Sequence, residues 1–462
     1  MSQFTVLILA AGQGTRMCSD RPKVLHELAW VPILQHVLNA AKALGPARIL
    51  VVTGHGAPAV EQAFAGEEIT WVRQEEQKGT GDAVRCALSA LQGVAGNLLI
   101  LAGDIPLIRP EILNELVKVH ETGPHQLTLL STTLANPRGY GRVVRGMDGH
   151  VQAIVEERDA NAEIRSLREI NSGIYVVSLS RLAGWIQQLR NENAQGEYYL
   201  PDIVGMALGE GGVNSVHHDD FQSLEGINDR SQLARAEDVF RDRIVARLMA
   251  SGVTFTDPGS CRLAADVQIG RDTTIFSHCI LGPGVEIGSH CQIGPFCHLE
   301  ASHIAASVHI ESFSHLNGAK VAAGSHVGPY ARLRPGALLE EGSKVGNFCE
   351  IKKSRIGEGS KVSHLAYIGD ADIGRKVNVG AGTITCNYDG KNKFKTVIED
   401  GVFIGSDTQL IAPVRLGKNS VIAAGTSVSK DVPEGALAIT RSPQKHVPNW
   451  HERIRARTQG QK

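Results

Sequence analysis

The sequence has no excess of charge, no cysteine pair at a metal-binding or redox spacing, and no long apolar run. With 47 Lys and Arg against 48 Asp and Glu in 462 residues, it offers no general electrostatic attraction for nucleic acid or an acidic membrane. Any anionic ligand must therefore be held by local sites. No apolar run approaches the roughly 20 residues that a membrane span needs, and MSQF leads into a predicted strand without the basic and apolar regions of a signal peptide. These absences predict a cytoplasmic protein.

The eight cysteines include no CxxC pair and no disulfide-framework spacing. They lie at positions 18, 86, 261, 279, 291, 297, 349 and 386. We expect them to be small buried residues in a reducing compartment. A composition of 42% hydrophobic and 21% charged residues fits a folded, soluble protein, and 462 residues exceed one ordinary core, so two large domains are expected.

What the second half does contain is an aliphatic residue at every sixth position. This period fits neither an α-helix nor a single strand, but it fits a coil of three short strands in which each turn places one aliphatic side chain at the same interior corner. A sandwich, with turns every ~8 to 12 residues, does not hold such a register. We therefore predict a parallel β-helix. The pattern, with occasional five-residue steps, comprises Ile269, Ile275, Leu281, Ile287, Ile293, Leu299, Ile304, Ile310, Leu316, Val321, Val327, Leu333, Leu339, Val345, Ile351, Ile356, Val362, Ile368, Ile373 and Val379, then Ile404, Leu410, Leu416, Ile422 and Val428.

The first half alternates apolar strands with amphipathic segments. Strands are predicted at 4–9, 48–53 and 97–102, and a helix at 31–44. Because the strands are apolar throughout, we expect a parallel sheet buried on both faces in a doubly wound α/β domain, with ligands beyond the carboxyl ends of the strands. The expected domains are a nucleotide-binding domain at 1–228, a helical arm at 229–251 ending near Gly252, and a β-helical domain at 252–462.

A glycine loop follows the first strand in LILAAGQGTRMCSDRPK. Gly12 and Gly14 allow a sharp turn that exposes backbone N–H groups, and Arg16 and Lys23 can converge on the same point. This combination favours a polyphosphate over a plain tight turn. The loop is neither the GxGxxG dinucleotide fingerprint nor a P-loop with GKS or GKT.

These residues carry a resemblance. The loop with RPKVLHELAWVPILQHV resembles the signature of sugar-1-phosphate nucleotidyltransferases, and QEEQKGTGDA resembles the loop that reads uracil in uridylyltransferases. GDIPL, NPRGYGRVVR, IVEERDA, EINSGIY and NAQGEYYLPDI follow in the family's order. With the β-helix and VNVGAGTITCNYDGKNKFKT, the whole chain is similar to the bifunctional N-acetylglucosamine-1-phosphate uridyltransferases and glucosamine-1-phosphate acetyltransferases.

The resemblance implies two activities. The second half would transfer acetyl from acetyl-CoA to glucosamine 1-phosphate, and the first half would then transfer uridylyl from UTP, giving a precursor of peptidoglycan and lipopolysaccharide. It also implies Mg²⁺, a left-handed β-helix of hexapeptide repeats, and a homotrimer with acetyl-CoA sites between neighbours. No nucleic acid or membrane partner is expected.

The resemblance assigns residues to the uridylyl site. Arg16 and Lys23 would act on the phosphates, Gln74 and Thr80 on uracil, and Asp104 with Asn228 would hold the metal. The full set for UTP and the UDP-sugar is Leu9, Ala11, Gly12, Lys23, Gln74, Gly79, Thr80, Asp104, Gly141, Glu156, Asn171 and Asn228. Helix capping remains an alternative for Asp104, and surface hydrogen bonding for Glu156 and Asn171.

The resemblance also assigns an acetyl-transfer site, with His364 as the base. Imidazole suits this task because its ordinary pKa lies near neutrality. The break in the aliphatic pattern between Val379 and Ile404 predicts a loop on a binding face. Glucosamine 1-phosphate would contact Arg334, Lys352, Tyr367, Asn378 and Lys393, and acetyl-CoA would contact Ala381, Asn387, Tyr388, Ser406, Ala424 and Arg441.

Three positions depart from the family's common pattern. Ala102 stands where a Tyr is common, Asp82 where a His is common, and Arg21 replaces an apolar residue. Two alternatives remain open: a nucleotidyltransferase of ADP-glucose or dTDP-glucose type whose β-helix only regulates or oligomerises, and a non-catalytic β-helical scaffold. The basic tail HERIRARTQGQK is either a solvated end or a cover for a neighbour's acetyl-CoA site.

Overall fold

The computed structural model describes residues 4–459, which divide into two compact units after Arg243. The strands of the first unit are β1 (Phe4–Ala10), β2 (Glu27–Leu28), β3 (Val31–Pro32), β4 (Arg48–Thr53), β5 (Thr70–Arg73), β6 (Asn97–Ala102), β7 (Leu127–Thr133), β8 (Arg142–Arg145), β9 (Val151–Val155), β10 (Glu169–Ser178) and β11 (Val213–His217). The helices are α1 (Ile33–Lys42), α2 (Ala57–Ala63), α3 (Thr80–Ala87), α4 (Pro110–Thr122), α5 (Ala162–Ser166), α6 (Leu179–Gln188), α7 (Ile203–Gly209) and α8 (Arg230–Ala250), which crosses the division, and α9 (Trp450–Gln459) near the end of the chain.

The main sheet of the first unit has the order β11-β7-β10-β6-β1-β4-β5. Strands β6, β1, β4 and β5 are parallel, as predicted, and side chains of β1 alternate between two cores: Val6 and Ile8 pack with α1 and α4, and Leu7 packs with α3 and α6. This confirms the doubly wound α/β fold. Beyond the strands predicted from the sequence, the sheet contains β10, which runs antiparallel to both β6 and β7. An apolar strand sequence indicates burial on both faces, but it does not reveal whether the strand pairs parallel or antiparallel with its neighbours.

The second unit is a β-helix of three parallel sheets. The first sheet contains Thr254–Phe255, Thr274–Ile275, Gln292–Ile293, His309–Ile310, His326–Val327, Lys344–Asn347, Lys361–His364, Asn378–Val379, Phe403–Ile404, Val421–Ile422 and Leu437–Ala438. The second contains Arg262–Leu263, Ile280–Leu281, His298–Glu300, His315–Asn317, Arg332–Leu333, Glu350–Lys352, Tyr367–Gly369, Ile384–Cys386, Gln409–Ile411 and Ser427–Val428. The third contains Gln268–Ile269, Glu286–Ile287, His303–Ile304, Lys320–Val321, Leu338–Leu339, Arg355–Ile356, Ala371–Ile373, Thr396–Ile398 and Val414–Leu416.

The aliphatic pattern forms the interior of this β-helix. Ile275 pairs with Ile293, which pairs with Ile310, so three six-residue steps, or three with one shortened, complete each coil. Every predicted aliphatic position is buried. The pattern continues through the predicted break: buried Thr385 pairs with Leu410, and Ile398 pairs with Leu416. The left-handed hexapeptide β-helix is therefore confirmed, and the inserted loop is shorter than the sequence pattern indicated.

One corner of the β-helix carries an exposed aromatic stripe, formed by Phe296, Phe313, Tyr330 and Phe348. Successive ring centroids lie 5.0, 4.9 and 5.2 Å apart, and each side chain is between 45% and 55% exposed. All four residues have positive φ, which disfavours bulky side chains. Stacking between coils and the regular corner hydrogen bonds hold them there. The stripe is an apolar surface that a single chain leaves open to solvent.

The cysteines of the β-helix largely match the prediction. Cys261, Cys279, Cys291, Cys297 and Cys349 are buried. Elsewhere, Cys18 is exposed, and Cys86 and Cys386 are partly exposed, so the expectation of burial is wrong for Cys18. Among residues 4–459, no helix is long and apolar enough to cross a membrane.

Candidate active sites

The glycine loop after β1 brings a lysine against the end of the sheet. Gly14 has a left-handed φ of 63°, and a Cβ atom added there would lie 2.7 Å from Cβ of Lys23. Glycine is therefore required for this close approach. A Cβ at Gly12 would meet nothing within 4 Å, so that part of the loop faces open space.

A cavity of about 580 Å³ lies beyond the carboxyl ends of β1 and β6. Its lining includes Arg16 and every residue assigned to UTP and the UDP-sugar except Gly141. These residues are Leu9, Ala11, Gly12, Arg16, Lys23, Gln74, Gly79, Thr80, Asp104, Glu156, Asn171 and Asn228. Gly141 supports the same region, since its carbonyl accepts a 2.9 Å hydrogen bond from the Asn171 N–H. Ala102 also lines the cavity, where the family's Tyr would stand.

Lys23 lies between the two predicted metal ligands. Its Nζ is 2.5 Å from Oδ2 of Asp104 and 3.1 Å from Oδ1 of Asn228. The loop that carries Asn228 is tied to Asp104, because the Ile227 N–H donates to the Asp104 carbonyl at 2.8 Å. One carboxylate and one amide oxygen fit Mg²⁺, which keeps several waters and takes further oxygens from substrate phosphates. In residues 4–459 no cluster of three or more His, Cys, Asp or Glu side chains offers an all-protein metal site.

The loop that carries Gly79 and Thr80 is fastened to the segment around Tyr198. The Gly81 N–H donates to the Tyr198 carbonyl at 2.8 Å, and the Tyr198 N–H donates to the Lys78 carbonyl at 2.8 Å. Thr80 accepts at Oγ1 from the Leu200 N–H at 3.1 Å. Gly79 must be glycine because a Cβ there would lie 2.6 Å from the Tyr198 carbonyl oxygen, and a Cβ at Gly81 would lie 3.0 Å from the same oxygen. This fixed loop forms one wall of the cavity.

An irregularity in β10 orients Asn171. The pairing of β10 with β7 shifts register between Asn171 and Tyr175, and such shifts re-aim side chains. Nδ2 of Asn171 donates to the buried Tyr175 hydroxyl at 2.6 Å. Burial raises the pKa of Tyr175, and hydrogen bonding from Asn171 opposes this. The assignments from sequence missed Tyr175, although it stands in the quoted motif EINSGIY.

Glu156 lies at the same wall in an unfavourable environment for a charged carboxylate. Burial raises its pKa, and the carboxylates of Asp159, Asp202 and Glu197 raise it further. A Cβ added to Gly141 would lie 3.1 Å from Oε1 of Glu156, so glycine makes room for this side chain. Glu156 and Asn171 thus offer hydrogen-bonding groups of the kind that sugar hydroxyls need.

In the β-helix, His364 is paired with an asparagine that the sequence assignments missed. Asn347 lies opposite His364 on the preceding coil, and its Oδ1 is 2.6 Å from Nδ1 of His364. Because an amide oxygen only accepts, Nδ1 is the donor in this contact, and in the neutral imidazole the lone pair is then on Nε2. His364 is exposed. The ring is therefore oriented as a proton acceptor at Nε2, and Asn347 could have been found by stepping back one coil from His364.

Three of the residues assigned to glucosamine 1-phosphate, Arg334, Lys352 and Tyr367, lie on or next to strands of the second β-helix sheet. Arg334 follows one strand and donates from Nη1 to Oε1 of Glu350 at 2.8 Å. Tyr367 lies opposite Glu350 in register, and Lys352 lies opposite Gly369. Asn378 is on the first sheet, opposite Lys361. Glu350, like Tyr175 and Asn347, was missed by the sequence assignments, and it holds the Arg334 guanidinium in place.

The inserted loop is a tight hairpin. Tyr388 and Lys393 form an antiparallel bridge, and the Asp389 carboxylate accepts from the N–H groups of Lys391 and Asn392 at 2.8 and 2.6 Å. These backbone hydrogen bonds lower the pKa of Asp389. At the base of the loop, the buried Asn387 side chain donates to Asp370. The hairpin exposes Tyr388 and Lys393 at its rim.

Three positions assigned to acetyl-CoA occupy the same corner on successive coils. The Asp407 N–H donates to the Ala381 carbonyl at 2.7 Å, and the Gly425 N–H donates to the Ser406 carbonyl at 2.8 Å. Ala424 lies one coil beyond Ser406 and accepts at its carbonyl from Arg441 at 3.1 Å. Ser406, Ala424 and Arg441 are exposed, so this side of the site is open in a single chain.

Comparison with known proteins agrees with both units. Residues 6–170 match the family model of the MobA-like NTP transferase domain, residues 263–342 match the GMPPB C-terminal domain, and residues 395–430 match the bacterial transferase hexapeptide (six repeats). The bifunctional protein GlmU of Trichlorobacter lovleyi is 48% identical, covering 97% of this chain and 98% of that protein. The GlmU proteins of Azoarcus sp. and Stutzerimonas stutzeri are 46% and 48% identical, covering 98% and 96% of this chain and 100% and 98% of their own lengths.

The α/β unit with its phosphate loop and the β-helix of hexapeptide repeats define a two-domain transferase, with a nucleotidyltransferase first and a hexapeptide acyltransferase second. The similarity to GlmU proteins over nearly the whole length of the chain identifies the family more specifically. The chain belongs to the family of bifunctional GlmU proteins, which confirms the resemblance drawn from its motifs.

Proposed function

We propose that this chain makes UDP-N-acetylglucosamine by two transfers at separate sites. The second unit acetylates glucosamine 1-phosphate with acetyl-CoA, and the first unit uridylylates the resulting N-acetylglucosamine 1-phosphate with UTP, releasing pyrophosphate. The observation that supports the proposal is that each unit holds its own chemically suited side chains: Lys23 and Asp104 in the cavity of the first unit, and the His364–Asn347 pair in the second.

In uridylyl transfer, a phosphate oxygen of the sugar 1-phosphate attacks the α-phosphorus of UTP in line, and the bond to pyrophosphate breaks. No protein nucleophile is required, so the side chains position the substrates and neutralise charge. Arg16 and Lys23 face the phosphates from the glycine loop, and Gln74 with Thr80 receives the base. Gly141, Glu156 and Asn171 receive the N-acetylglucosamine part.

Asp104 and Asn228 would hold Mg²⁺, whose charge would offset the repulsion between two polyanions. The Lys23 ammonium contacts both of these residues. Because Lys23 also lines the cavity, its ammonium can pair with the phosphates of UTP as well as with these two side chains.

In acetyl transfer, the amine nitrogen of glucosamine 1-phosphate attacks the thioester carbonyl, and the sulfur of coenzyme A leaves. The nitrogen must lose a proton, and Nε2 of His364 accepts it because Asn347 holds the other ring nitrogen protonated. Arg334, Lys352 and Lys393 bind the sugar phosphate and hydroxyls, with Tyr367 and Asn378 beside them. Arg441 is suited to the phosphates of coenzyme A.

A homotrimer completes the proposal. The aromatic stripe presents four half-exposed rings, and a contiguous apolar surface of this kind is typical of an interface. The acetyl-CoA residues Ser406, Ala424 and Arg441 are exposed, so a second copy of the chain can cover them. A cytoplasmic location is supported by the free thiols of Cys279, Cys291, Cys297 and Cys349, which suit a reducing compartment.

The test measures two products separately, pyrophosphate and free coenzyme A thiol. Asp104→Ala should abolish pyrophosphate release and leave thiol release nearly unchanged. His364→Ala should lower thiol release by about 10²- to 10⁴-fold, the contribution of a positioned base, and leave uridylylation of supplied N-acetylglucosamine 1-phosphate intact. Asp148→Ala and His303→Ala, both at exposed positions outside the two sites, are the matched controls. Loss of both activities in either folded variant would contradict two separate sites.

A further inference from the structure

Gln74 is fixed in the cavity wall by its own backbone. Its side chain is buried, its N–H donates to the Thr53 carbonyl at 2.8 Å, and its carbonyl accepts from Nε2 of Gln77 at 3.2 Å. The residue lines the cavity beside Gly79 and Thr80. With the main chain held, the remaining freedom of Gln74 is which end of its amide faces the cavity.

Two acceptors decide that orientation. Nε2 of Gln74 donates to the Gly79 carbonyl at 3.1 Å and to Oδ2 of Asp82 at 2.9 Å. A carbonyl and a carboxylate both accept hydrogen bonds, so only the NH₂ end of the amide can satisfy them. The Oε1 atom must then face away from Asp82, and no donor within residues 4–459 reaches it.

Asp82 is held in turn. It stands in the first turn of α3, with 15% of its side chain exposed, and Nη1 of Arg85 lies 3.5 Å from its Oδ1. The Arg85 guanidinium rests 4.1 Å above the ring centre of Tyr198 and donates to the Ile186 carbonyl at 3.3 Å. Arg85 therefore keeps the Asp82 carboxylate directed at Gln74.

We infer that Asp82 determines base specificity by holding Gln74 as a hydrogen-bond acceptor. N3 of uracil carries a proton that Oε1 can accept, whereas N3 of cytosine carries a lone pair that would oppose it. The inference rests on the proposed function, because it requires that this cavity receives the base of UTP. A histidine at this position could either donate or accept, so the fixed orientation is a property of Asp82 in this chain.

The experiment compares UTP and CTP as substrates, through kcat/KM for pyrophosphate release, in the full-length protein and in Asp82→Asn. The unchanged protein should prefer UTP by at least 10²-fold, as sites built to pair with a polar group do. Asparagine at position 82 can donate a hydrogen bond toward Gln74, which allows the Gln74 side-chain amide to flip. The variant should therefore lose about tenfold or more with UTP and gain about tenfold with CTP, which a merely structural role would not produce.

Two further variants complete the test. Asp82→Glu keeps an acceptor and should keep the preference for UTP. Asp82→Ala removes the acceptor without adding a donor, so it should lower the preference for UTP over CTP, but by less than Asp82→Asn does. Asp82→Ala also serves as the test variant if the Asp82→Asn protein does not fold. Asp148→Asn is the exposed control.

The outcomes separate the inference from the function beneath it. A folded Asp82→Asn or Asp82→Ala protein with an unchanged UTP to CTP ratio, or with both substrates lowered equally, overturns the inference and leaves uridylyl transfer standing. An unchanged protein that uses UTP and CTP equally would instead contradict uracil selection in the proposed function. A rise with CTP together with a fall with UTP supports the inference.

Discussion

Replacing Gly79 with alanine should damage the base-binding wall by a strain that can be assessed from the backbone. Gly79 has φ 107° and ψ 174°, a region that is nearly restricted to glycine, and occupying it with another residue costs about 1 to 3 kcal/mol. The added Cβ would lie 2.6 and 2.9 Å from the carbonyl oxygen and nitrogen of Tyr198. Relieving this clash moves Tyr198 and weakens two hydrogen bonds, each worth about 0.5 to 1.5 kcal/mol.

The total, about 2 to 6 kcal/mol, should lower the unfolding temperature of the first unit by about 5 to 20 °C. Because Thr80 moves with the loop, KM for UTP should rise, while acetyl transfer in the second unit stays unchanged. Gly184→Ala is the matched control: it lies inside α6 with nothing within 4 Å of the new Cβ, and alanine should stabilise the helix by about 0.5 to 1 kcal/mol. The assays are thermal unfolding and UTP saturation. A Gly79→Ala protein that unfolds within about 2 °C of the unchanged chain would refute the reasoning.

Two other perturbations test the electrostatics of the cavity and the aromatic stripe. Burial raises the pKa of the Glu156 carboxyl, so the folded protein binds the carboxyl proton more tightly than the unfolded chain does. The free energy of unfolding therefore falls as the pH rises from the unfolded pKa to the folded pKa. Above the folded pKa the full loss is present, about 1.4 kcal/mol for each unit by which the pKa is raised. Glu156→Gln removes that cost, so denaturant titration should find the variant more stable at pH 8 and equal to the unchanged chain near pH 4, with weaker sugar binding; equal stability at both pH values would contradict the raised pKa. Phe313→Glu places a charge in the middle of the aromatic stripe and should convert the proposed trimer to monomer in light scattering, whereas His309→Glu, on the first β-helix sheet, should not. A Phe313→Glu protein that still forms trimers would show that the stripe is not part of the interface.

The interior of the β-helix could be predicted from the sequence almost residue by residue, because every coil repeats one steric requirement at a fixed spacing. The prediction missed Thr385, a buried polar residue at an aliphatic position, and so overestimated the inserted loop. The strands of the α/β unit were also predicted well: Arg48–Thr53 and Asn97–Ala102 have the expected bounds. The antiparallel direction of β10 could not be predicted, since burial on both faces is the same for either direction.

For the candidate sites, motifs supplied the residue types but not their partners. The contact of Lys23 with Asp104 joins positions 81 residues apart, and neither motif indicates that the two side chains touch. The pairing of Gln74 with Asp82 was equally hidden, because Asp82 entered only as a departure from the family's pattern. The partner of His364 was accessible in principle: once the coil length is known, Asn347 is the residue directly beneath it.

The buried thiols of the β-helix also make local opening of the domain measurable. Burial raises the pKa of Cys279 to about 12 and that of Cys297 to about 11, so neither presents a reactive thiolate while its coil is closed. A thiol reagent can modify them only after the stacked coils separate locally. Because the two cysteines lie on adjacent coils, the order and rate of their modification would reveal whether the solenoid opens coil by coil from its amino-terminal end or as one cooperative body.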